Sequence, residues 1–499
     1  MKTNKLIIIL LGVVLLGASC SNDYFEVKTT ATLTSEDARI TMEADPSKLA
    51  GFVDALYNMM VEWNLMGTDS HDSFGFMSIL HSTDMMTEDI IMSKLSHFRY
   101  DYALDNREWS YRRTNTNWTY LYSLISGANT VLALTSSEST NPTILAYRGQ
   151  ALAIRGMSYY YLIQMYQHLY PVSAAGDKPG IPLYRASNEG KPNILARAKV
   201  SEVLGQIESD LTTAVANLDG YVRGNKNQVN QNVANGLLAR YYLLTEQWDK
   251  AVLAARAAQT GYSVMPASSL KDGFMDITNP EWMWGFDHNS ETSSIYASFF
   301  SHISNLTPGY AGLEYAPRQI DKRLYDFIPA TDARKQLYQD AAGSVTNTAP
   351  RNESATGWKL PYASLKFGWA DGFTQDYLYM RASEMVLIEA EALAHQAGKG
   401  GEAATALKKL MENRNPAWNL ANVTVDDVWM QRRIELWGEG FSYFDLKRLN
   451  KGIDRTYDGS NHEAGNKLKV LAGDKRWIYQ IPESEIQENS EISEEDNNE

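Results

Sequence analysis

The sequence predicts a mainly α-helical protein in which paired helices carry one irregular, loop-rich subdomain. Three observations lead there. Residues 200–218 place Val200, Val203, Leu204, Ile207, Leu211, Ala214 and Leu218 at spacings of three and four, with Glu202, Gln206 and Asp210 on the opposite side, which is one amphipathic helix. Two later segments follow one plan: 233–244 turns through 245–247 into 248–260, and 381–397 turns through 398–401 into 402–414. Each holds two alanines twelve residues apart, Ala239 with Ala251 and Ala392 with Ala404. Small residues at facing positions let antiparallel helices approach closely, the physical logic of tetratricopeptide-type hairpins. Between Gly261 and Gln375, finally, periodicity fades while Gly, Pro, Asn, Ser and aromatic residues accumulate. So long an aperiodic stretch reads as an insertion on the helical scaffold, where binding loops usually sit.

From the N-terminus, Lys2 and Lys5 precede an eleven-residue apolar run, 6–16, followed by Gly17, Ala18, Ser19 and Cys20. Eleven helical residues fall short of a hydrocarbon core about 30 Å thick, so the run is a secretory leader rather than a membrane span. Cys20 is the only cysteine, which leaves no internal disulfide in an exported chain. Small residues running into a cysteine directly after an apolar leader resemble a bacterial lipoprotein signal, in which the sulfur is acylated and Cys20 becomes the new N-terminus. Several acyl chains at about 0.8 kcal/mol per buried CH₂ would hold the protein on a membrane. No later segment has eighteen consecutive apolar residues, so the lipid would be the sole membrane element.

A helix near 145–170 carries Tyr159, Leu162, Tyr166 and Leu169 on one face and is expected to end before Pro171. A loop at 173–193 follows, with Gly176, Pro179, Gly180 and Pro182. The C-terminal tail, 487–499, holds six acids and no base and is expected to be disordered at its end.

Composition narrows the function. The net charge is −14, and losing Lys2 and Lys5 with the leader takes it to −16. No Lys/Arg-dense stripe exists to displace counterions, which disfavours nucleic acid and anionic lipid. Twelve Trp, 29 Tyr and 14 Phe are in excess, and Tyr and Trp suit half-wet surfaces where an apolar face stacks on a ligand.

Catalytic motifs are missing: there is no G-x-S-x-G, G-x-x-x-x-G-K-[ST], strand-linked G-x-G-x-x-G or H-E-x-x-H, and no cofactor is implied. With Cys20 committed to the terminus, no thiol nucleophile or zinc-thiolate site remains. Asp69, His71 and Asp72 lack the spacing of a calcium loop and read as a polar turn. The run Gln431-Arg432-Arg433-Ile434-Glu435-Leu436-Trp437-Gly438-Glu439 reads as a structural salt-bridge lattice, with Arg432 and Arg433 near Glu435 and Glu439 and, through tertiary contact, near Asp445 and Arg448.

These residues also resemble a known family. Arg381-Ala-Ser-Glu384-Met-Val-Leu387-Ile-Glu-Ala390-Glu391-Ala392 is similar to the R-Y-A-E-x-x-L-x-x-A-E-A helix of the SusD/RagB outer-membrane nutrient-binding lipoproteins of Bacteroidetes. The segment 433–448, with Arg433, Glu435, Leu436, Glu439, Gly440, Asp445, Leu446 and Arg448, is similar to that family's E-R-R-x-E-L-x-x-E-G-x-R-x-x-D-L-x-R. Trp118, Tyr122, Asn129, Arg155, Asp210, Arg240, Asp332, Arg334 and Pro482 stand in the same order along the chain. Departures are Gln431 for Glu, Ser442 for Arg, Gly156 for Ala and Met411 for Asn.

The resemblance implies four tetratricopeptide-like units with an irregular subdomain. It divides the chain into a leader, 1–19, an N-terminal SusD-like region, 20–270, and a C-terminal RagB/SusD region, 271–499. The last comprises most of the insertion at about 261–375, hairpins at about 376–452 and the acidic tail. It also implies a cell-surface role without catalysis: capture of an oligosaccharide or polysaccharide and delivery to a SusC-like TonB-dependent outer-membrane transporter. Ligand residues do not follow from the family motifs. They follow from chemistry, since sugar rings stack on aromatic faces while carboxylates, amides and arginines take hydroxyls. Aromatic residues in irregular segments and off the motifs are Phe74, Phe76, Tyr100, Trp109, Tyr296, Phe300, Tyr310, Tyr315, Trp358 and Trp369, with Asp72, Asn106, Arg112 and Asn289 as polar helpers. Trp118, Trp282 and Trp284 are assigned to the core. A peptide-binding relative on the same scaffold is the alternative, and a glycosidase, which needs only two placed carboxylates, is the third class.

Overall fold

The structure is a computed structural model that describes residues 35–186, 194–346 and 348–499. The leader, Cys20 and part of the 173–193 loop lie outside the described residues. Helices α1 (Ser35–Ala44), α2 (Ala50–Met59) and α3 (Phe76–Met85) open the chain, and strand β1 (Ile90–Met92) follows. The scaffold then runs through α4 (Arg112–Ala133), α5 (Pro142–Tyr166), α6 (Val200–Asn217), α7 (Gln231–Leu244) and α8 (Trp248–Gln259). After the irregular region come α10 (Ala382–Ala394), α11 (Gly400–Met411), α12 (Val425–Glu435) and α13 (Ser442–Arg448). Each scaffold helix packs on the next from α4 to α8; α8 then packs on α10, which carries α11 and α12. The predicted helical hairpins are therefore present, and the insertion interrupts the stack without breaking it.

Local chemistry explains these elements. Asn141 caps α5 by accepting the Thr143 N–H, and Pro142 occupies the first turn, where a missing N–H costs nothing. The helix stops at Tyr166, before Pro171, because Gln167 turns extended and the Lys447 ammonium takes the Gln164 and Gln167 carbonyls. A Cβ on Gly156 would stand 3.0 Å from Leu211, so glycine in place of the family's alanine brings α5 against α6. Ala239, Ala251, Ala392 and Ala404 are all buried between their helices, as the spacing predicts.

The irregular region is stitched to the scaffold by short antiparallel pairs. Strand β2 (Trp282–Phe286) pairs with β4 (Tyr377–Arg381), and β3 (Arg318–Ile320) pairs with β1, joining the insertion to the N-terminal loops. A short helix, α9 (Phe299–Ile303), lies on α3. Trp118, Trp282 and Trp284 are core residues. Among the described residues, no helix is long and apolar enough to cross a membrane.

Two expectations are corrected. The acidic tail is packed: Ile492 and Asn489 are buried, and the Asn498 amide donates to the carbonyls of Tyr166 and Tyr479 at 2.7 Å each. Side-chain amides that satisfy buried carbonyls hold down a segment whose charge alone argues for solvation. The charge lattice is structural, but its pairing differs from helical proximity. Glu435 pairs with Arg334, Arg381 and Arg414 at 2.8–3.2 Å, and Glu439 with Arg381 and Lys366. Arg432 meets Asp445 and, through it, Arg448 as expected, whereas Arg433 turns away to Glu88 and Asp89.

Candidate ligand-binding site

Four irregular segments converge on one patch: the α2–α3 loop, the β1–α4 loop and the stretches on either side of α9. A hydrogen bond, ring packing, a backbone bridge and an ion pair hold them there. The imidazole of His302, on α9, donates from Nε2 to the His71 carbonyl at 2.9 Å and packs parallel to Phe74 with centroids 5.4 Å apart. Trp63 and Phe74 form an antiparallel bridge that closes the α2–α3 loop. On the rim, Lys94 pairs with Glu314 at 2.9 Å, tying the β1–α4 loop to the segment after α9.

The patch is a cluster of rings. His71 lies at its centre, its Nδ1 2.7 Å from the Tyr310 hydroxyl. Tyr296 is parallel to His71 within 6° at 6.1 Å, and Trp63 meets the same imidazole edge-on at 6.2 Å. Tyr310 stacks on His302 at 4.8 Å, takes His97 edge-on at 4.4 Å and carries Tyr315 at 6.3 Å. The floor is covered, but the outer rings are open: Trp63 is 39% exposed, Tyr296 44% and Tyr315 63%. Large aromatic faces left in contact with water beside polar ring atoms suit a ligand with apolar faces and hydroxyls.

Charges adjoin the rings. Asp72 is buried and accepts from Ser70 Oγ at 2.7 Å, Arg112 at 2.7 Å and Arg113 at 3.1 Å. Burial opposes its ionisation, yet Arg113 and Arg112 hold the carboxyl well below the usual range. Burial, the neighbouring His71 and the guanidiniums of Arg112 and Arg318 lower the pKa of His97, against the pull of Asp72. Burial raises the Tyr310 phenol. The imidazoles of His97 and His302 and the phenol of Tyr310 are thus each pushed toward the neutral form. Among the described residues no group of three or more His, Cys, Asp or Glu is arranged to hold a metal.

Two family models match the sequence. The one described as "Starch-binding associating with outer membrane" covers residues 24–243, and the SusD family model covers 326–498. The chain belongs to the SusD/RagB family. Solved structures agree with that assignment. A SusD-like carbohydrate-binding protein from Bacteroides vulgatus is 25% identical with a TM-score of 0.75, over 90% of this chain and 97% of that one. A surface glycan-binding protein A from Bacteroides uniformis (19% identity, TM-score 0.67, 91% and 99% covered) shares the fold. So does a laminarin-binding SusD-like protein, at 18% identity and a TM-score of 0.65, over 89% and 97% of the two chains. No curated protein sequence matches the chain. Carbohydrate binding is thus a property of the family to which this chain belongs.

On this SusD/RagB scaffold the residues picked from sequence divide sharply. Tyr296, Tyr310, Tyr315, Asp72 and Arg112 come together in the patch. Phe74, Phe76 and Phe300 do not bind from the surface: all three are buried in the main core, because a ring without a polar atom gains most from full burial. Asn106 is buried too, its amide donating to Asp101 and the Tyr479 hydroxyl. Trp109 is half-buried against the C-terminal segment, with its N–H on the Gln480 side chain and its carbonyl taken by the Glu483 N–H. Tyr100 is exposed, but Arg99 covers its ring at 4.5 Å, and Arg351 covers Trp358 at 4.3 Å. Trp369 packs edge-on against Phe373, and Asn289 caps its own turn by accepting from the Glu291 and Thr292 N–H groups. Sequence reasoning missed Trp63 and His97 and read His71 only as part of a polar turn. Trp63 met the criterion of an off-motif aromatic in an irregular segment, whereas the histidines fell outside a filter set for Trp, Tyr and Phe.

The α2–α3 loop owes its path to Gly75, whose φ of 74° and ψ of −152° belong to glycine. A Cβ there would stand 2.2 Å from the Met60 carbonyl oxygen, which accepts the Phe76 N–H at 2.8 Å. Gly75→Ala is expected to cost about 3 kcal/mol or more, read as a lower denaturant midpoint at unchanged m-value.

Proposed function

We propose that this chain captures a glycan at the cell surface and passes it to a TonB-dependent outer-membrane transporter of the SusC type, without chemical change to the ligand. In this reading Cys20 carries the lipid that keeps the protein on the outer membrane. The observation that carries the proposal is the open ring cluster of Trp63, Tyr296 and Tyr315 around His71 and Tyr310, set on loops of a family whose members bind carbohydrate. Sugar C–H faces stack on such rings, and the imidazole and phenol atoms serve the hydroxyls.

The state of Asp72 supports binding over hydrolysis. A glycosidase needs one carboxylic acid that holds its proton near neutral pH, while Asp72 is kept ionised and its oxygens are engaged by Ser70, Arg112 and Arg113. Calorimetric titration of the purified protein with malto-, laminari- and other plant, host and microbial oligosaccharides tests the proposal. Saturable heat with intact ligand is the expected result. Release of reducing ends, or silence with every glycan alongside saturable binding of extended peptides, would overturn it.

A further inference from the structure

The charges beneath the ring cluster do not balance. Asp101, Arg113, Asp72 and Arg112 form an alternating chain: Arg113 bridges Asp101 at 3.0 Å and Asp72 at 3.1 Å, and Arg112 closes on Asp72 at 2.7 Å. That chain is neutral when all four groups are charged. A fifth charge, Arg318, lies fully buried under the same cluster. Its donors go to the Ala316 carbonyl at 2.6 Å and to His81 Nε2 at 3.3 Å, and among the described residues it has no carboxylate within ion-pair distance. Burial draws its pKa down to about 9, so it stays a cation at neutral pH, and its field is felt by His81, His302 and His97. A buried cation without a counter-ion is costly, and the low-dielectric interior screens it poorly.

The solvent-facing cation of the cluster is Arg112, whose charge, like that of Arg318, is felt by His97. Its side chain is 43% exposed, one nitrogen is pinned by buried Asp72, and its Nε and Nη1 make no hydrogen bond among the described residues. A guanidinium fixed in orientation with free donors is a ready fork for two oxygens of an anionic group. On the rim, Lys94 and Glu314 cancel. The acids of the α2–α3 loop, Glu62 and Asp69, are exposed, where salt screens them.

We propose that the ring cluster selects an anionic glycan, one bearing carboxylate or sulfate groups, and that Arg112 pairs with that group. This rests on the ring cluster being the glycan site.

The test titrates the purified protein with oligogalacturonate and chondroitin sulfate oligosaccharides, and with neutral malto-, laminari- and xylo-oligosaccharides. Expected are saturable binding of an anionic probe, at least threefold weakening as NaCl rises tenfold, on the order set by Debye screening, and the carboxylate and sulfate arms together naming the group. Arg112→Gln is expected to weaken the anionic probe about tenfold and Arg112→Lys to recover part of that loss. Asp72 keeps Arg113 and Ser70 in both variants, so folding should persist, and circular dichroism checks it. Binding of a neutral glycan in preference to every anionic one, or anionic binding indifferent to salt and to Arg112→Gln, would overturn the charge assignment while leaving the glycan site standing. Silence of all probes would overturn both.

Discussion

Glu435→Ala is expected to lower folding stability by about 3–5 kcal/mol, the largest effect of any single substitution argued for this protein. The carboxylate is fully buried and faces three guanidiniums, Arg334 at 3.2 Å, Arg381 at 2.8 Å and Arg414 at 3.0 Å. Its removal strands cations that water cannot reach, and the cost is that of an uncompensated buried charge rather than the net worth of an ion pair. Arg334 keeps Asp332, and Arg381 keeps Glu281 and Glu439, so their loss is partial. Arg414 has Glu281 only at 3.8 Å, which makes it the most damaged. Urea unfolding of wild type and variant measures the difference as a shift in midpoint; a change below about 1 kcal/mol would mean that the lattice relaxes to repair itself. Acid dependence follows the same geometry. Burial opposes ionisation of Glu435, but Arg414, Arg381 and Arg334 hold its pKa well below the ordinary carboxylate value. A depressed folded-state pKa gives stability that is fully present above the unfolded value, about 4.3, and is lost as pH falls from there through the folded value. The variant should therefore show the shallower decline in stability below that point.

That lattice also marks where sequence reasoning stops. Helical period is local, so the stripe at 200–218 and the alanine pairs Ala239/Ala251 and Ala392/Ala404 are legible one residue at a time, and all of them appear in the packed helices. Partners of a buried charge are set by tertiary approach. Glu435 looks to Arg334, Arg381 and Arg414, from distant parts of the chain, and Arg433 looks to Glu88 and Asp89 instead of its helical neighbours. The β1–β3 pair, which brings the insertion onto the N-terminal loops, has no local signature either. In the patch the same limit acts on single rings. An aperiodic loop carries no pattern to separate inward from outward positions, so Phe74 and Tyr296 looked alike; the polar atom of tyrosine, absent from phenylalanine, was the available clue. Histidines that join such a patch through a ring hydrogen bond, as His71 does with Tyr310, become visible only when the loops meet.

Removing an open ring should cut glycan affinity while leaving the fold alone. Trp63→Ala and Tyr296→Ala are each expected to weaken binding about ten- to thirtyfold, the size of a stacking hot spot worth about 1.4–2 kcal/mol, with melting temperatures close to wild type because both rings are exposed. Trp358→Ala serves as the comparison. Its ring is covered by Arg351 and packs on the small cluster of Leu306, Ala349 and Leu365, so affinity should stay within about twofold. The double variant carries the sharper test. Trp63 and Tyr296 both lean on the His71 imidazole, one edge-on at 6.2 Å and the other parallel at 6.1 Å. If one sugar chain lies across that shared surface, removing the first ring loosens the support for the second, and the second removal costs less than it does in the wild-type background. The double-mutant cycle should then fall short of additivity by about 0.5 kcal/mol or more. Strict additivity would instead describe two independent subsites, each holding its own sugar, and would shift the search for the ligand from a single stacked residue to a longer or branched chain.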